Sequence, residues 1–302
     1  MIVAEVVRSG FVESVHHGSV AVNGGRSRGD VTSPIFPRSS NKPLQAVGML
    51  RAGLVPREPA DLALISGSHF GEPFHIQRVR EILAAAGLDE SSLMCARGLP
   101  LHEEARNDWL RSGGGPERVL MNCSGKHAGM LATCVANDWP LDSYRDPKHP
   151  LQVALAEAVT DLVGEPIAAV GVDGCGAPVF GFSLTALARS FQRLVDAAPG
   201  TPERLVADQM RAHPELVAGT GGDDTVLMGG VPGLLVKAGA EGVVAAALPG
   251  VGAVAIKIDD GAARARTPVL LDALRELGAM PPALRSPITG GDEEVGEVRP
   301  VR

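Results

Sequence analysis

The sequence predicts an α+β fold in which the two ends of the chain form one antiparallel sheet. Two observations support this prediction: β-rich runs cluster at both ends, and helical periodicity fills the region between them. Strands that flank a helical stretch favour one sheet with a helical insertion. The β-rich runs lie at residues 2–8, 11–16, 18–23, 233–238, 241–248 and 252–258.

Residues that start and stop helices bracket the segments between those runs. Gly87 and the glycines at 113–115 each follow a periodic segment, and Thr201 opens another ahead of Pro202. These are the residue types that favour helix ends. The predicted helices lie near residues 41–53, 76–87, 101–112, 125–137, 150–163, 182–196, 202–212 and 267–278.

The sequence contains neither an internal repeat nor a low-complexity linker, which predicts a single domain over residues 1–302. Its sheet is expected from about 1–35 and 230–262, and its helical region from about 41–215. Glycines and acidic residues at 290–294 predict an exposed tail over about 286–302.

Composition excludes several classes of protein. A net charge of -7, a pI of about 5.6 and 3% aromatic residues argue against a nucleic-acid partner. The longest apolar stretch, residues 243–256, contains Pro249 and Gly250, so it predicts two strands and not a membrane span. No signal peptide is recognisable, so we expect a cytoplasmic protein without membrane association and with reduced cysteines.

Ser39 precedes Lys42 by three residues, an order that can support covalent catalysis. Residues three apart share one helix face, so the lysine amine can approach the serine hydroxyl. A serine nucleophile needs such a base, and burial makes an amine a better one by disfavouring its charged form. The structural alternative is a serine helix cap beside a solvated lysine.

Two further segments carry hydroxyl or amine groups. Ser68 follows the apolar, strand-like run 62–65, and a reactive serine or a simple capped turn would both fit that position. Lys237 lies on a late β-run ahead of Gly239, in an order similar to the Lys-Thr-Gly element that accompanies Ser-x-x-Lys in penicillin-binding proteins. The alternative for Lys237 is a lysine that guards a sheet edge.

Two of the cysteines indicate a candidate metal site. Cys123 and Lys126 open a predicted helix, and Asp173 and Cys175 share a tight loop. Thiolates favour zinc over calcium or magnesium, although a lysine ligand must first lose its proton. Buried, unrelated cysteines are the alternative, and it is the interpretation we adopt for the two other cysteines, Cys95 and Cys134.

Read together, these segments resemble the L-asparaginase II family, the third structural class of L-asparaginases, whose fold is similar to serine β-lactamases and penicillin-binding proteins. The stretch 122–131, NCSGKHAGML, and the loop 172–175, VDGC, are the most specific matches. The other matching stretches are 37–45, 68–72, 213–219, 235–239 and 257–261.

The resemblance implies a set of site residues. Its catalytic groups are two serine–lysine tandems, Ser39 with Lys42 and Ser68 with Lys237. Its metal ligands, for a zinc ion, are Cys123, Lys126 and Cys175. Arg38, beside the nucleophile, and Asp173 are the expected substrate-binding residues. We also expect a homodimer.

The expected reaction is hydrolysis of L-asparagine to L-aspartate and ammonia, with Ser39 as nucleophile and Lys42 as its base. Two lysine amines near one pocket repel each other, so at least one is expected to be neutral at working pH. The alternatives are a glutaminase or other amidohydrolase on the same fold, and a metal-stabilised amino-acid-binding protein without turnover. The sequence assigns no role to His213 or Asp224.

Overall fold

The computed structural model describes residues 1–301, and its main feature is an antiparallel sheet built from both ends of the chain. Strands β1–β10 are Ile2–Arg8, Phe11–Asn23, Pro34–Ile35, Ala169–Val172, Pro178–Ser183, Leu235–Ala238, Val243–Leu248, Gly252–Ile258, Pro287–Gly290 and Glu293–Pro300. The large sheet has seven strands in the order β6-β7-β8-β2-β1-β10-β9, and a second sheet has three in the order β3-β5-β4. The α+β prediction, with a sheet from both ends of the chain, is therefore confirmed.

Eleven α-helices are formed within residues 1–301, most of them between the strands of the large sheet. Every residue of β7 is buried, and because successive side chains point to opposite faces, both faces of the sheet are covered there. Helices α1–α11 are Lys42–Arg51, Asp61–Ile65, Pro73–Ala85, Glu103–Arg111, Ser124–Ala136, Pro150–Val163, Leu184–Asp196, Pro202–Ala212, Pro214–Val217, Asp223–Gly230 and Arg266–Glu276. Helices α7 and α11 both contact β7 and β8.

The runs 11–16 and 18–23 form one strand, β2, where the sequence predicts two. Gly18 lies inside this strand because a Cβ there would be 2.5 Å from the Lys257 carbonyl oxygen of the neighbouring strand. The glycine thus permits a close strand approach and does not end the strand.

The apolar run 62–65 is a helix, α2, and not a strand. All five residues of α2 are buried, and a short continuous apolar run does not distinguish a buried helix from a buried strand. Ser68 therefore follows a helix on a loop. The small sheet β3-β5-β4 also lies partly inside the region predicted as helical.

The C-terminal segment, predicted as an exposed tail, has regular backbone structure. Strands β9 and β10 form a hairpin, and β10 pairs with β1 from Ala4 to Arg8. Gly291 has a φ of +63° in the connecting turn, so the glycines that suggest a tail form a hairpin turn instead. Most side chains of the hairpin are exposed, and Val298, only 4% exposed, anchors it to the core.

Candidate active site

A cavity of about 420 Å³ collects the serine and lysine groups that the sequence singles out. Ser39 contributes from the 3₁₀ turn Arg38–Asn41 ahead of α1, Ser68 from the loop after α2, and Lys237 from β6. The remaining lining residues come from these same segments and from four others: Phe70, Leu101, Asn122, Ala218, Gly221, Gly222, Asp223, Asp224, Ala238, Gly239 and Arg266.

Lys42 lies beneath this cavity, and its side chain is almost fully buried. Its amine donates hydrogen bonds to the Ser68 hydroxyl at 3.0 Å, to the Asn122 carbonyl at 3.4 Å and to the Gly67 carbonyl. Two of these three acceptors are carbonyls, which accept hydrogen bonds only. The site therefore fixes the amine and directs it at one hydroxyl, that of Ser68.

The amine of Lys42 thus contacts Ser68, whereas the sequence pairs it with Ser39. Ser39 lies in the 3₁₀ turn that directly precedes α1, and its carbonyl accepts the Lys42 main-chain N–H. Arg38, directly before it, has a φ of +52°. Left-handed backbone of this kind is uncommon outside glycine, and it turns the chain just ahead of Ser39.

Close packing against β6 holds the turn that carries Ser39. The buried Ser40 hydroxyl donates to the Lys237 carbonyl at 2.9 Å. A Cβ on Gly239 would be 2.7 Å from the Pro37 carbonyl oxygen and 3.0 Å from the Ser40 hydroxyl oxygen. The glycine of the Lys-x-Gly element therefore makes room for the protein's own turn.

Lys237 is buried beside Asp224. Its amine donates to the Ala238 carbonyl at 2.7 Å and lies 3.5 Å from the Asp224 carboxylate, which also accepts the Ala238 N–H at 3.0 Å. Burial, helped by the positive charges of Lys42 and Arg266, outweighs Asp224 and lowers the pKa of Lys237 to about 8. Ser68 and Lys237 line the same cavity, but no hydrogen bond joins them within residues 1–301.

Main-chain hydrogen bonds position the Ser68 loop. The N–H of Ser68 donates to the Val217 carbonyl at 2.7 Å, and the N–H of Phe70 donates to the Ala218 carbonyl at 2.6 Å. This contact explains the segment 213–219, to which the sequence assigned no role. His213 itself is partly exposed, with Glu215 at 3.5 Å, and lies outside the cavity.

His69 ties the Ser68 loop to α5. The Gly71 N–H donates to Nδ1 at 3.2 Å, so Nε2 carries the proton and donates to the Ser124 hydroxyl at 2.8 Å. Ser124 in turn donates to the Val119 carbonyl at 2.7 Å. Burial, with His75 and Lys42 nearby, holds the pKa of His69 well below its usual value, so the ring is neutral.

Glu72 fixes the loop 219–222, part of which lines the cavity. Its carboxylate accepts hydrogen bonds from both the N–H and the hydroxyl of Thr220, each at 2.8 Å. Thr220 lies between Gly219 and the cavity glycines Gly221 and Gly222, and a Cβ on Gly219 would be 2.7 Å from the Glu72 carboxylate. The Ser-His-Phe-Gly-Glu segment therefore supplies both a hydroxyl and a support for the facing loop.

Cys123, Lys126 and Cys175 meet in a second buried cluster. The Lys126 amine is 3.3 Å from the Cys175 sulfur, and an Asp173 carboxylate oxygen is 3.8 Å from the same sulfur. Hydrogen bonding from Cys123, together with Lys126 and His127, holds the pKa of Cys175 well below its usual range. The same contact with Cys175, with burial, raises the pKa of Cys123.

The donor set of this cluster fits a soft divalent ion. Two sulfurs and an amine converge, and one sulfur is stabilised as the thiolate that zinc requires. The Lys126 amine must lose a proton before it can bind, because the thiols and Asp173 outweigh burial and raise its pKa. Among residues 1–301, no group of three or more His, Cys, Asp and Glu side chains is placed to hold a metal ion.

Arg38 and Asp173 bind each other. The Arg38 Nε donates to Asp173 at 2.8 Å, and neither residue lines the cavity that holds Ser39. Their expected role in substrate binding stays a prediction. Cys95 and Cys134 are buried, and burial raises the pKa of the first thiol to about 11 and of the second to about 12, as befits inert core cysteines.

The sequence profile of the L-asparaginase II family matches residues 4–300. The chain belongs to the L-asparaginase II family. A comparison with curated proteins gave no match. Within the described residues, no helix has the length and apolar character needed to cross a bilayer.

Solved structures of Mglu are similar at low identity. Mglu in its native form in the presence of 4.3M NaCl gives a TM-score of 0.48 at 15% identity, and covers 91% of this chain and 62% of that chain. Mglu in its glutamate form gives 0.46 at 16% identity, and covers 86% and 61%. This L-asparaginase II chain therefore spans about three fifths of the length of those proteins.

Proposed function

We propose that this L-asparaginase II family member is an amidohydrolase that converts L-asparagine and water to L-aspartate and ammonia. One observation carries the proposal: the buried Lys42 amine contacts the Ser68 hydroxyl at 3.0 Å beneath a cavity that Ser39 also lines. Burying a lysine against a hydroxyl has no evident packing benefit, whereas proton transfer needs such a pair. The family match supports the amide substrate.

In the proposed reaction, the Ser39 hydroxyl attacks the side-chain amide carbon of asparagine. With the Lys42 amine neutral, its two N–H groups still serve the Gly67 and Asn122 carbonyls, and the serine proton passes to its nitrogen through the Ser68 hydroxyl that this amine contacts. The C–N bond then breaks, the leaving nitrogen takes that proton and departs as ammonia, and an ester links Ser39 to the aspartyl group. Water attacks the ester, which releases L-aspartate and restores the Ser39 hydroxyl.

Lys237 has a separate role in this scheme. With a pKa of about 8, it can exchange protons near neutral pH, as a proton relay must. It faces the same cavity as Ser68, where its charge state tunes the hydroxyl. Asp224 holds the amine in place and sets how readily it loses its proton.

The same contact favours one alternative assignment, with Ser68 as the nucleophile. Lys42 activates Ser68 directly in that scheme, and Ser39 then binds the substrate. The overall reaction and its products are unchanged, so variants at the two serines separate the assignments.

The sulfur cluster has a supporting role in the proposal. Cys123, Cys175 and neutral Lys126 would hold a zinc ion, which supplies charge and rigidity beside the pocket. Cys123 lies next to Asn122, and Asn122 both lines the cavity and accepts a hydrogen bond from Lys42. We also propose that the α+β arrangement is of the β-lactamase and penicillin-binding-protein type.

Ammonia release from purified protein tests the function. We expect turnover of L-asparagine to exceed that of L-glutamine, and we expect no hydrolysis of a chromogenic β-lactam. Faster turnover of L-glutamine would make the chain a glutaminase. Binding of L-asparagine without ammonia release would instead favour an amino-acid-binding protein.

A further inference from the structure

Two charged side chains that line the cavity have no ionic partner. Arg266 makes one side-chain hydrogen bond within residues 1–301, from Nη1 to the Gly239 carbonyl at 2.9 Å, and takes part in no ion pair there. Asp223 accepts one side-chain hydrogen bond, from the Thr267 hydroxyl at 2.5 Å, and likewise has no cationic partner among those residues.

The Arg266 guanidinium is held in place and yet keeps free donors. It has five N–H donors in a rigid plane, and the Gly239 carbonyl occupies only one nitrogen. Arg266 begins α11, is partly exposed and lines the cavity, so its remaining donors are available to a ligand there. Such a planar group binds a carboxylate through two parallel hydrogen bonds.

Asp223 offers the opposite charge from a neighbouring segment. It begins α10, next to the cavity glycine Gly222, and Thr267 belongs to the same helix start as Arg266. Because Thr267 donates to only one carboxylate oxygen, the other is free to accept from a ligand. The adjacent Asp224 differs, because its carboxylate already accepts hydrogen bonds from the Lys237 amine and the Ala238 N–H.

We propose that Arg266 binds the α-carboxylate and Asp223 the α-ammonium group of an α-amino acid. An unpaired cation and an unpaired anion in one cavity match the zwitterionic head of such a ligand, and no simple anion or cation uses both. This assignment differs from the expectation that Arg38 and Asp173 bind the substrate. Those two side chains pair with each other, and neither lines the cavity. It rests on the proposed function for the orientation of the substrate, whose side-chain amide would then face Ser39 and Ser68.

Three ligands that differ by one charged group test the assignment without turnover. L-Aspartate carries both head charges, succinate lacks the ammonium group, and β-alanine lacks the α-carboxylate. Calorimetry on the wild-type protein should show L-aspartate binding tighter than either by about tenfold to a hundredfold, the range for a charge-assisted hydrogen bond. The pair L-glutamate and glutarate repeats the test for a longer side chain.

Two variants then assign each charge to one residue. Asp223→Asn keeps an oxygen for the Thr267 hydroxyl but removes the charge, so it should abolish the preference for L-aspartate over succinate. Arg266→Gln should abolish the preference over β-alanine and leave the preference over succinate. Arg264→Gln and Asp142→Asn are the matched controls: Arg264 binds His16 instead, and Asp142 is exposed. We expect these controls to change affinity by less than about threefold.

The outcomes separate this inference from the proposed function. Selective loss of each preference in protein that releases no ammonia would support the amino-acid site and contradict the enzyme. Ammonia release that is unaffected in both variants would support the enzyme and overturn the inference. Equal affinity of the wild-type protein for all three ligands, or no affinity for any α-amino acid, would also overturn it.

Discussion

Lys126 and Lys237 are both buried, with 2% and 1% of their surface exposed, yet their pKa values move in opposite directions. Lys237, in the serine cavity, has its pKa lowered to about 8. Lys126, in the sulfur cluster, has its pKa raised above the ordinary lysine value. The difference therefore comes from the neighbours of each amine and not from the depth of burial.

Burial penalises the ammonium form in both places, because a charged group loses its hydration. Around Lys126, the thiols of Cys175 and Cys123 and the Asp173 carboxylate outweigh that penalty. Around Lys237, the single carboxylate of Asp224 is opposed by two further cations, Lys42 and Arg266. The serine cavity can thus exchange a proton near neutral pH, whereas the sulfur cluster keeps the positive charge on Lys126.

The largest expected effect is the loss of turnover on removal of a serine hydroxyl from the cavity. Ser39→Ala should lower kcat about a hundredfold or more, because a lost nucleophile removes transition-state stabilisation. Affinity for L-aspartate and the free energy of unfolding should change little. Ammonia release, calorimetry and thermal unfolding measure these three quantities.

Ser68→Ala is the matched comparison for Ser39→Ala. It removes the hydroxyl that Lys42 contacts and leaves the other serine intact. More than about a tenth of the wild-type rate in Ser39→Ala, with a covalent aspartyl group on Ser68 by mass spectrometry, would move the nucleophile to Ser68.

Replacement of Lys42 tests whether this cavity needs an amine that can lose its proton. Lys42→Arg should be as damaging as Lys42→Met, since arginine keeps its charge in proteins and cannot accept a proton. We expect each variant to lose about a hundredfold or more in kcat. Steady-state rates with folded protein check this, and an active Lys42→Arg variant would mean that the lysine acts only through its charge.

The sulfur cluster should respond to metal and only indirectly affect turnover. The protein should bind roughly one zinc-like ion per chain, more weakly at low pH because protons compete for thiolates and amine. Cys123→Ser and Cys175→Ser should each weaken metal binding and reduce activity without unfolding the protein. Elemental analysis and activity across the pH range measure both effects.

Cys95→Ser and Cys134→Ser serve as controls, because these buried thiols lie outside the converging donor set and should affect neither metal nor rate. The metal site would be contradicted if protein prepared without chelators contained no metal and Cys175→Ser kept full activity. Cys123 and Cys175 would then be ordinary buried cysteines.

Much of the fold could be predicted because local chemistry agrees with the final structure. The predicted helices at 150–163 and 202–212 coincide with α6 and α8, each of which begins with a proline, a residue favoured in the first helical turn. Segments that depend on distant partners could not be predicted. Residues 62–65 of α2 are all apolar, a pattern that fits a buried strand as well as a buried helix. The β9–β10 hairpin is stabilised by pairing with β1, at the other end of the chain.

The composition of the candidate site was more predictable than its pairing. Ser39, Ser68 and Lys237 line one cavity as the sequence analysis expects, and Lys42 lies beneath it. The sequence spacing places Lys42 near Ser39, but tertiary contacts with Val217 bring the Ser68 hydroxyl to the amine instead. Asp224 carried no recognisable pattern, because acidic residues at a helix start are common for reasons of capping and dipole alone.

The smallest expected effect is a change in pH dependence on removal of the charge beside Lys237. If neutral Lys237 is the active form, kcat/KM should rise with pH through about 8. Asp224→Asn removes a negative charge that favours the ammonium form, so the pKa of Lys237 should fall and the rising limb should move to lower pH, by about one unit or more. Asp223→Asn is the control at the adjacent residue. It should raise KM at every pH and leave unchanged the pH at which kcat/KM rises. A rising limb that stays in place or moves to higher pH in Asp224→Asn would show that the titrating group is not Lys237. Removal of the negative charge beside this amine can only lower its pKa.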